Sequence, residues 1–541
     1  MTPITGWLTG HTIKNLLLAT LSGVLAGVAM PGLGMAAVAF VTLVPLLWVV
    51  LAATAGRAFL YGWLAGTVGF AVSMSWVADT VHLYGGLPYA LSYPVMLLLS
   101  AYLGAYTGLF ALGVQFLIRR GIPLLLVAPL LWVGLEYLRT YLFTGLPWNP
   151  LGLALFESTR MIQIADFAGV YGVSWFVVTV NCGIHALSRP LFERHRSFTQ
   201  AYLLNHGIAV VLIPICVATY GQVQIASLSL FHQQNPNPEG PLHVSLIQPN
   251  IPQNSKWDPA FLTTTMARLE RLTRQSGGFD PDLVLWPEAS APLVLEHHQP
   301  YLDMVSGLSR GLGAHIAVGS LSPVAGAPDK VRNSVYLVTP GGAMHIASKQ
   351  HLVPFGEYVP LETSLLSFVR KITRGIGDVI PGEKVAVLKF PRGDFGLAVC
   401  YEVIFPDQVR HLFAAGATFL ATVSNDAWFG ASAGPAQHFA HIAFRAVENR
   451  SYVVRAANTG ISGMADPFGI VHEQTVLNTE TATHVRIEPR FTDSFYSRHG
   501  DLFARISVIL VVLLGAYAMI FREPRERGRK SGGHHASDAL N

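Results

Sequence analysis

The sequence predicts two fold classes in one chain: a multi-pass α-helical membrane domain and an α/β extramembrane domain. Three observations carry this. Only 13% of the 541 residues are charged and the mean hydropathy is +0.42, whereas a soluble domain averages about 25% charged residues. Apolar runs long enough to cross a bilayer fill the first 221 positions and recur once near the end. Between them, 222–501 is richer in charge and alternates strand-like with helical patterns.

The apolar runs lie near 13–31, 34–54, 58–80, 89–118, 122–144, 161–188 and 201–221, with "LFARISVILVVLLGAYAMIF" at 502–521 as an eighth. The first is followed directly by further spans, so it reads as a retained helix and not as a cleaved signal. Basic residues mark every second boundary: Arg57, then Arg119 and Arg120, then Arg189, Arg194 and Arg196, then the tail "REPRERGRK". The loops at 31–33, 81–88 and 145–160 hold only Arg160. Arginine and lysine stay on the cytoplasmic side. Eight spans therefore put both termini in the cytoplasm and 222–501 outside, with 522–541 as a basic, disordered tail.

Within 222–501, strand candidates are 243–248, 282–288, 315–320, 334–339, 395–401 and 417–424, and helical spacing falls at 259–276 and 435–449. Strands apolar throughout and interleaved with helices predict a largely buried sheet. The stretch 361–383, which mixes apolar and basic residues with Gly375 and Gly377, reads as a mobile arm dipping towards lipid or as a surface helix.

Composition excludes some functions. A net charge of +4, with lysines and arginines scattered or beside apolar runs, offers no basic stripe for nucleic acid. Cys182, Cys216 and Cys400 are too far apart for a disulfide framework or a CxxC-type metal site. His438 and His441, and the pairs at 297–298 and 534–535, lack a ligand set of metal spacing and read as core or solvated histidines. No metal and no cofactor is called for.

Three strand ends or loops carry polar residues that a strand does not need. "LVLWPEAS" stops on Glu288 after Trp286 and Pro287, and proline cannot continue a central strand. "ASKQHLVPFGEYVP" presents Lys349 and, eight positions on, Glu357. "GLAVCYE" ends on Cys400, followed by Tyr401 and Glu402. A thiol attacks as thiolate, which a nearby ammonium favours and for which a carboxylate can take the proton. Lysine and a backbone N–H can hold the oxyanion of a tetrahedral intermediate. The trio therefore suits acyl transfer without histidine or metal, although spacing alone leaves a chance grouping open.

The order "WPE", "KxxLVPFGEYVP", "CYE" resembles the nitrilase (carbon–nitrogen hydrolase) superfamily, whose site is a Glu-Lys-Cys triad on an αββα sandwich. The long "HLVPFGEYVP" form with eight spans looks like the apolipoprotein N-acyltransferase family. So do "SNDAWFG" (424–430), "RAVENR" (445–450), "NTGISG" (458–463), "GLPWNPLG" (145–152) and "AGVYGVSW" (168–175). The resemblance implies a nitrilase-like domain on an eight-helix membrane domain at the bacterial inner membrane, with 222–501 in the periplasm. It makes Cys400 the nucleophile, Glu288 the general base and acid, and Lys349 the oxyanion-stabilising ammonium. It further implies Tyr401 as backbone oxyanion donor, Glu357 and Glu402 as supporting glutamates, and Trp257 as a loop tryptophan near the substrate entrance.

The implied reaction is ping-pong. An sn-1 acyl chain passes from a membrane phospholipid such as phosphatidylethanolamine to Cys400, and then to the N-terminal amine of a diacylated apolipoprotein. The enzyme would act as a monomer. Two rivals stay open: a membrane-anchored nitrilase-type amidohydrolase acting on a small amide, and a transporter with a regulatory exterior domain. The latter usually shows internal repeats and mid-membrane charge. The chain has Glu136, Arg139 and Asp166 in its apolar runs but no evident repeat.

Overall fold

A computed structural model describes residues 10–193, 199–358, 378–490 and 493–523. The chain forms two compact units, one of 1–75, 93–223 and 501–541, the other of 76–92 and 224–500. Of the arm expected at 361–383, residues 361–377 lie outside the described residues and 378–383 begin with a short strand, while the tail at 522–541 lies outside them beyond 523.

The first unit is helical. Among the described residues, helices Gly10–Val28, Tyr89–Arg119, Leu124–Thr144, Ala165–Phe192, Gln200–Gln234 and Leu502–Phe521 are long and apolar enough to cross a membrane. Three departures from the sequence reading have physical causes. The run at 58–80 is not one straight helix: Ala55–Ser73 ends, and Trp76–Leu83 leaves at 59°. Hydropathy passes smoothly through this bend because Trp76, Val77 and Ala78 are as apolar as a span. The run at 34–54 breaks into a 3₁₀ turn, Ala36–Phe40, and a short helix, Val44–Ala52, with Pro45 in its first turn. The helix placed at 201–221 continues to Gln234 through a π segment at Ile208–Leu212. With the bent pair counted as one span, the candidate crossings among the described residues reach seven, and Ala36–Ala52 is a shorter apolar stretch.

Helix contacts in this unit are close. A Cβ on Gly23 would meet the Ala65 carbonyl at 2.4 Å, so only glycine allows the helices to approach so nearly. Buried polar groups on Leu124–Tyr141 turn inward. Glu136 accepts from Trp132 Nε1 (2.8 Å) and Leu151 N–H (2.7 Å), and the buried Arg139 guanidinium lies 5.1 Å from the Phe70 ring.

The second unit is a four-layer sandwich. Its strands are β1 (Leu242–Gln248), β2 (Leu283–Leu285), β3 (His315–Pro323), β4 (Lys330–Val338), β5 (Met344–Ser348), β6 (Asp378–Val379) and β7 (Val387–Leu388). They continue with β8 (Phe395–Val399), β9 (Phe419–Ser424), β10 (Val453–Ala457), β11 (Gly463–Ala465), β12 (Val471–His472) and β13 (Thr481–Ile487). One sheet runs β13-β1-β2-β3-β4-β5, with β6 beside β4, and the other runs β12-β11-β10-β9-β8-β7. Each has a parallel centre, β1-β2-β3 and β8-β9-β10, edged by antiparallel strands. The sheets meet through β1 on β10, β5 on β7 and β11 on β13.

Helices Leu262–Gln275 and Gln299–Leu312 cover the first sheet. The former buries Thr265, Met266, Leu269, Leu272 and Thr273, a stripe at helical spacing. That stripe packs with Val284, Trp286, Ile316 and Tyr336 in one core. Pro406–Ala414 and Gly434–Asn449 cover the second sheet. The helix Trp76–Leu83, although it follows a span, belongs to this unit. Trp76 Nε1 donates to Gln437 (3.3 Å), Thr80 Oγ1 to the Trp428 carbonyl (2.7 Å) and Tyr84 Oη to the Ala427 carbonyl (2.9 Å).

Candidate active site

The parallel strands β2 and β8 end on the same cluster, as strand ends do in open α/β sheets. After β2, Trp286 is fully buried, with its indole N–H on Thr273 Oγ1 at 2.9 Å. That anchor fixes the exit of the chain through Pro287. The turn packs so tightly on β3 that a Cβ on Gly319 would lie 2.0 Å from the Pro287 carbonyl. Glu288 emerges here, 6% exposed.

After β8, the backbone turns sharply at Cys400, whose φ is +53°. A non-glycine residue there is strained, and such strain persists only where surroundings hold it. Part of that hold is Glu402. Its carboxylate accepts the N–H of Val399 (2.7 Å), Gln350 (2.7 Å) and His351 (2.9 Å), and the Gln408 amide at 2.7 Å. Burial pushes the Glu402 pKa up, and these N–H donors and Lys349 pull against it.

Lys349 follows β5 and is 1% exposed. Its Nζ lies 3.3 Å from Glu288 Oε1 and 3.0 Å from the Glu357 carboxylate. Glu357 also accepts the Val353 N–H at 2.8 Å, which closes its own loop around the lysine. The structure thus brings together Glu288, Lys349, Glu357, Cys400 and Glu402, with Tyr401 next in chain to Cys400. Trp257 is only half-buried, with the Lys256 ammonium 5.9 Å from its ring.

Sequence reasoning missed three contributors. Asn333 of β4 donates its amide to Glu288 Oε1 (2.7 Å) and to Glu357 Oε1 (3.2 Å), bridging the two carboxylates. The Asn425 N–H, in "SNDAWFG", donates to Glu288 Oε2 at 3.0 Å. Lys256 is buried with its Nζ on the Glu288 carbonyl at 2.9 Å. Nothing in "NSKWDP" distinguishes that lysine from a surface one, and Asn333 sits in the polar run "DKVRNS", where it is equally ordinary.

The electrostatics set resting protonation. Burial alone would raise the Glu288 pKa, but Lys349 and Lys256, then hydrogen bonds from Asn333 and Cys400, bring it below the ordinary glutamate value. Burial lowers Lys349, and the carboxylates of Glu288 and Glu357 more than reverse this, so its ammonium is held charged. Burial, reinforced by Glu288, pushes Cys400 up to about 12 against the pull of Lys349. The neighbouring ammonium therefore does not win at the sulfur. The site rests as a neutral thiol beside an ionised glutamate that can receive its proton, and transfer must accompany attack.

Lys256 is lowered by burial, against Glu288 and Cys400, to about 8. Its folded pKa lies below its ordinary 10.5, so the unfolded chain binds more protons between those values. Wild type should therefore gain stability relative to Lys256→Met as pH rises from about 8 to 10.5. Thermal midpoints of both proteins across that range check this, and parallel curves contradict it.

Behind Cys400 lie Asp426 and His438, both fully buried. Ligand atoms of Cys400, Asp426 and His438 come within 4.8 Å of one another. The Asp426 oxygens, however, accept from Arg455 (2.7 Å) and Ser424 (2.6 Å), and one of them lies 2.9 Å from His438 Nδ1. A guanidinium there opposes a cation. His438 is thus a core histidine, but one whose Nε2 reaches the Cys400 carbonyl at 3.0 Å.

A buried thiol, carboxylate and ammonium at the strand ends of this sandwich, in a chain with several membrane-length helices, place the protein among membrane-bound carbon–nitrogen hydrolase-type enzymes. Residues 22–183 match the apolipoprotein N-acyltransferase N-terminal domain, and residues 243–493 match the carbon-nitrogen hydrolase domain. An apolipoprotein N-acyltransferase of Geobacter metallireducens is 38% identical over 510 residues, covering 93% of this chain and 95% of its own. Proteins of the same name from Pasteurella multocida and Haemophilus influenzae are 32% and 31% identical, covering 82% and 94% of this chain and 84% and 95% of their own. The chain belongs to the apolipoprotein N-acyltransferase family.

Proposed function

We propose that this membrane protein transfers an sn-1 acyl chain from a phospholipid to the N-terminal amine of an S-diacylglyceryl-cysteine apolipoprotein, through a thioester on Cys400. The observation that carries the mechanism is the joint burial of Cys400, Glu288 and Lys349 at three strand ends. The family membership supports the substrates, a lipoprotein acceptor and a membrane-lipid donor.

In the first half-reaction the Cys400 sulfur attacks the ester carbonyl while Glu288 takes the thiol proton. Lys349 and the Tyr401 N–H hold the oxyanion. Collapse breaks the ester C–O bond, and Glu288 returns the proton to the departing alkoxide, releasing lysophospholipid. In the second, the lipoprotein amine attacks the thioester, Glu288 takes its proton, the C–S bond breaks and the proton returns to sulfur. Attack by a bound amine outruns hydrolysis because held reactants act at high effective molarity. Glu357 and Glu402 support by holding Lys349 and the Cys400 turn, and Trp257 lines the approach of substrate.

The donor is phosphatidylethanolamine and the enzyme acts as a monomer. Eight helices anchor the chain in the bacterial inner membrane, with 222–501 as the periplasmic catalytic domain and both termini in the cytoplasm, as the alternation of basic boundaries supports. A single-substrate amidohydrolase would have no use for helices joined to both ends of its catalytic domain.

The test is purified protein in phosphatidylethanolamine vesicles labelled on the sn-1 chain, offered a diacylated lipopeptide. Label moves to the lipopeptide amine and lysophospholipid accumulates in step. Label released only as free fatty acid, or ammonia released from small amides without lipid transfer, supports a hydrolase instead.

A further inference from the structure

We infer that His438, held by Asp426 and Arg455, is the positioning residue of the oxyanion hole, acting through the peptide that joins Cys400 to Tyr401. The inference rests on the reading of Cys400 as nucleophile and of the Tyr401 N–H as an oxyanion donor.

The peptide unit after Cys400 carries the Cys400 carbonyl at one edge and the Tyr401 N–H at the other. The unit is planar, so fixing the carbonyl fixes the direction of the N–H. His438 Nε2 lies 3.0 Å from that carbonyl oxygen. A carbonyl oxygen can only accept, so Nε2 carries the proton, an assignment made from the partner. The other ring nitrogen is gripped as well: Nδ1 sits 2.9 Å from Asp426 Oδ1 and 3.0 Å from Arg455 Nη2.

Arg455 is held in turn. Its Nη2 reaches both Asp426 oxygens at 3.0 and 2.7 Å, and its Nε donates to the Ile461 carbonyl at 3.2 Å. Ser424 adds a third partner to Asp426 at 2.6 Å. The chain of contacts Arg455–Asp426–His438 ends on one carbonyl, and all three side chains are fully buried.

The peptide that receives this brace needs one. Cys400 has φ +53°, and a left-handed residue relaxes unless its flanking peptides are pinned. Glu402 pins the chain one peptide earlier, between Ala398 and Val399, through the Val399 N–H at 2.7 Å. His438 pins the far side. A hydrogen bond accepted at the carbonyl also polarises the amide, which makes its N–H a better donor. In this role His438 acts through the peptide and not on the substrate. Its effect appears only where an oxyanion develops.

The test compares two reactions of the same thiol. Acylation by phospholipid, in a single turnover, builds a tetrahedral oxyanion, whereas alkylation by iodoacetamide does not. In His438→Leu, acylation falls by about 10²-fold, on the scale of losing one oxyanion donor. The phospholipid KM stays within about threefold, and alkylation of Cys400 stays within about threefold of wild type. His438→Gln, whose amide N–H can stand where Nε2–H stood, recovers most of the acylation rate. His438→Asn keeps a polar group against Asp426 but is too short for the carbonyl. It repeats the loss, and it carries the comparison if the leucine variant does not fold.

Parallel falls in acylation and alkylation, a change confined to KM, or acylation within threefold of wild type in both the leucine and asparagine variants overturns the inference. No acyl-enzyme in wild type overturns the proposed function and this inference with it. A normal wild type beside unimpaired variants overturns the inference alone.

Discussion

Replacing Cys400 with alanine stops acyl transfer while leaving the protein folded. Loss of a covalent nucleophile costs on the order of 10⁶-fold where it has been measured in serine hydrolases. The substitution removes one sulfur from a site that Glu402 and the strand β8 hold independently, so stability changes by only about 1 kcal/mol. Vesicle assays of transfer, read beside thermal midpoints, check both halves. The unmodified thiol has its own signature. Burial and Glu288 push Cys400 up to about 12, so its alkylation rate keeps climbing at pH 10. An ordinary thiol would level off just above its free value of about 8.5. A plateau near pH 9 contradicts the assigned electrostatics.

Lys349→Met should be the most destabilising substitution in the site. It leaves Glu288 and Glu357, joined through Asn333, without the ammonium that lies 3.3 and 3.0 Å from them. Removing one partner of a buried ion pair costs about 3–5 kcal/mol, read as a lowered denaturation midpoint. Acylation falls by a further 10²–10³-fold, roughly the scale of a lost oxyanion donor.

The pH dependence has a definite sign. Glu288 is depressed from its ordinary 4.5, so its share of the stability is present above that value and lost as pH falls through the folded pKa. Lys349 is raised from its ordinary 10.5, so its share is present below that value and lost as pH rises through the folded pKa. The gap between wild type and Lys349→Met is therefore widest from about pH 4.5 to 10.5 and narrows on acidification. A gap that stays constant down to pH 3 would mean that Lys349 stabilises by packing and not by charge.

The core of the candidate site was legible because its residues break strand patterns. Proline before Glu288, and a carboxylate directly after the apolar run to Cys400, are expensive choices inside a sheet. Lys256 and Asn333 were not legible. Both lie in stretches where a polar residue is ordinary, and only the fold carries them to Glu288. The sequence leaves His438 as either a core or a solvated histidine. It is fully buried, yet the separation between His438 and Cys400 in chain hid the contact with the carbonyl. The membrane runs were legible in composition and less so in geometry. Hydropathy does not mark the break between Ser73 and Trp76, and the helix that begins at Trp76 belongs to the second unit.

The proposal that Cys400 carries the acyl chain can be measured directly. Wild-type protein is incubated with phosphatidylethanolamine of one defined sn-1 chain and no acceptor, then digested and weighed by mass spectrometry. The peptide containing Cys400 gains the mass of that acyl group. It loses that mass to neutral hydroxylamine, and also on addition of a diacylated lipopeptide, which gains it. An unmodified Cys400 peptide under conditions where the lipopeptide is nevertheless acylated would contradict the account.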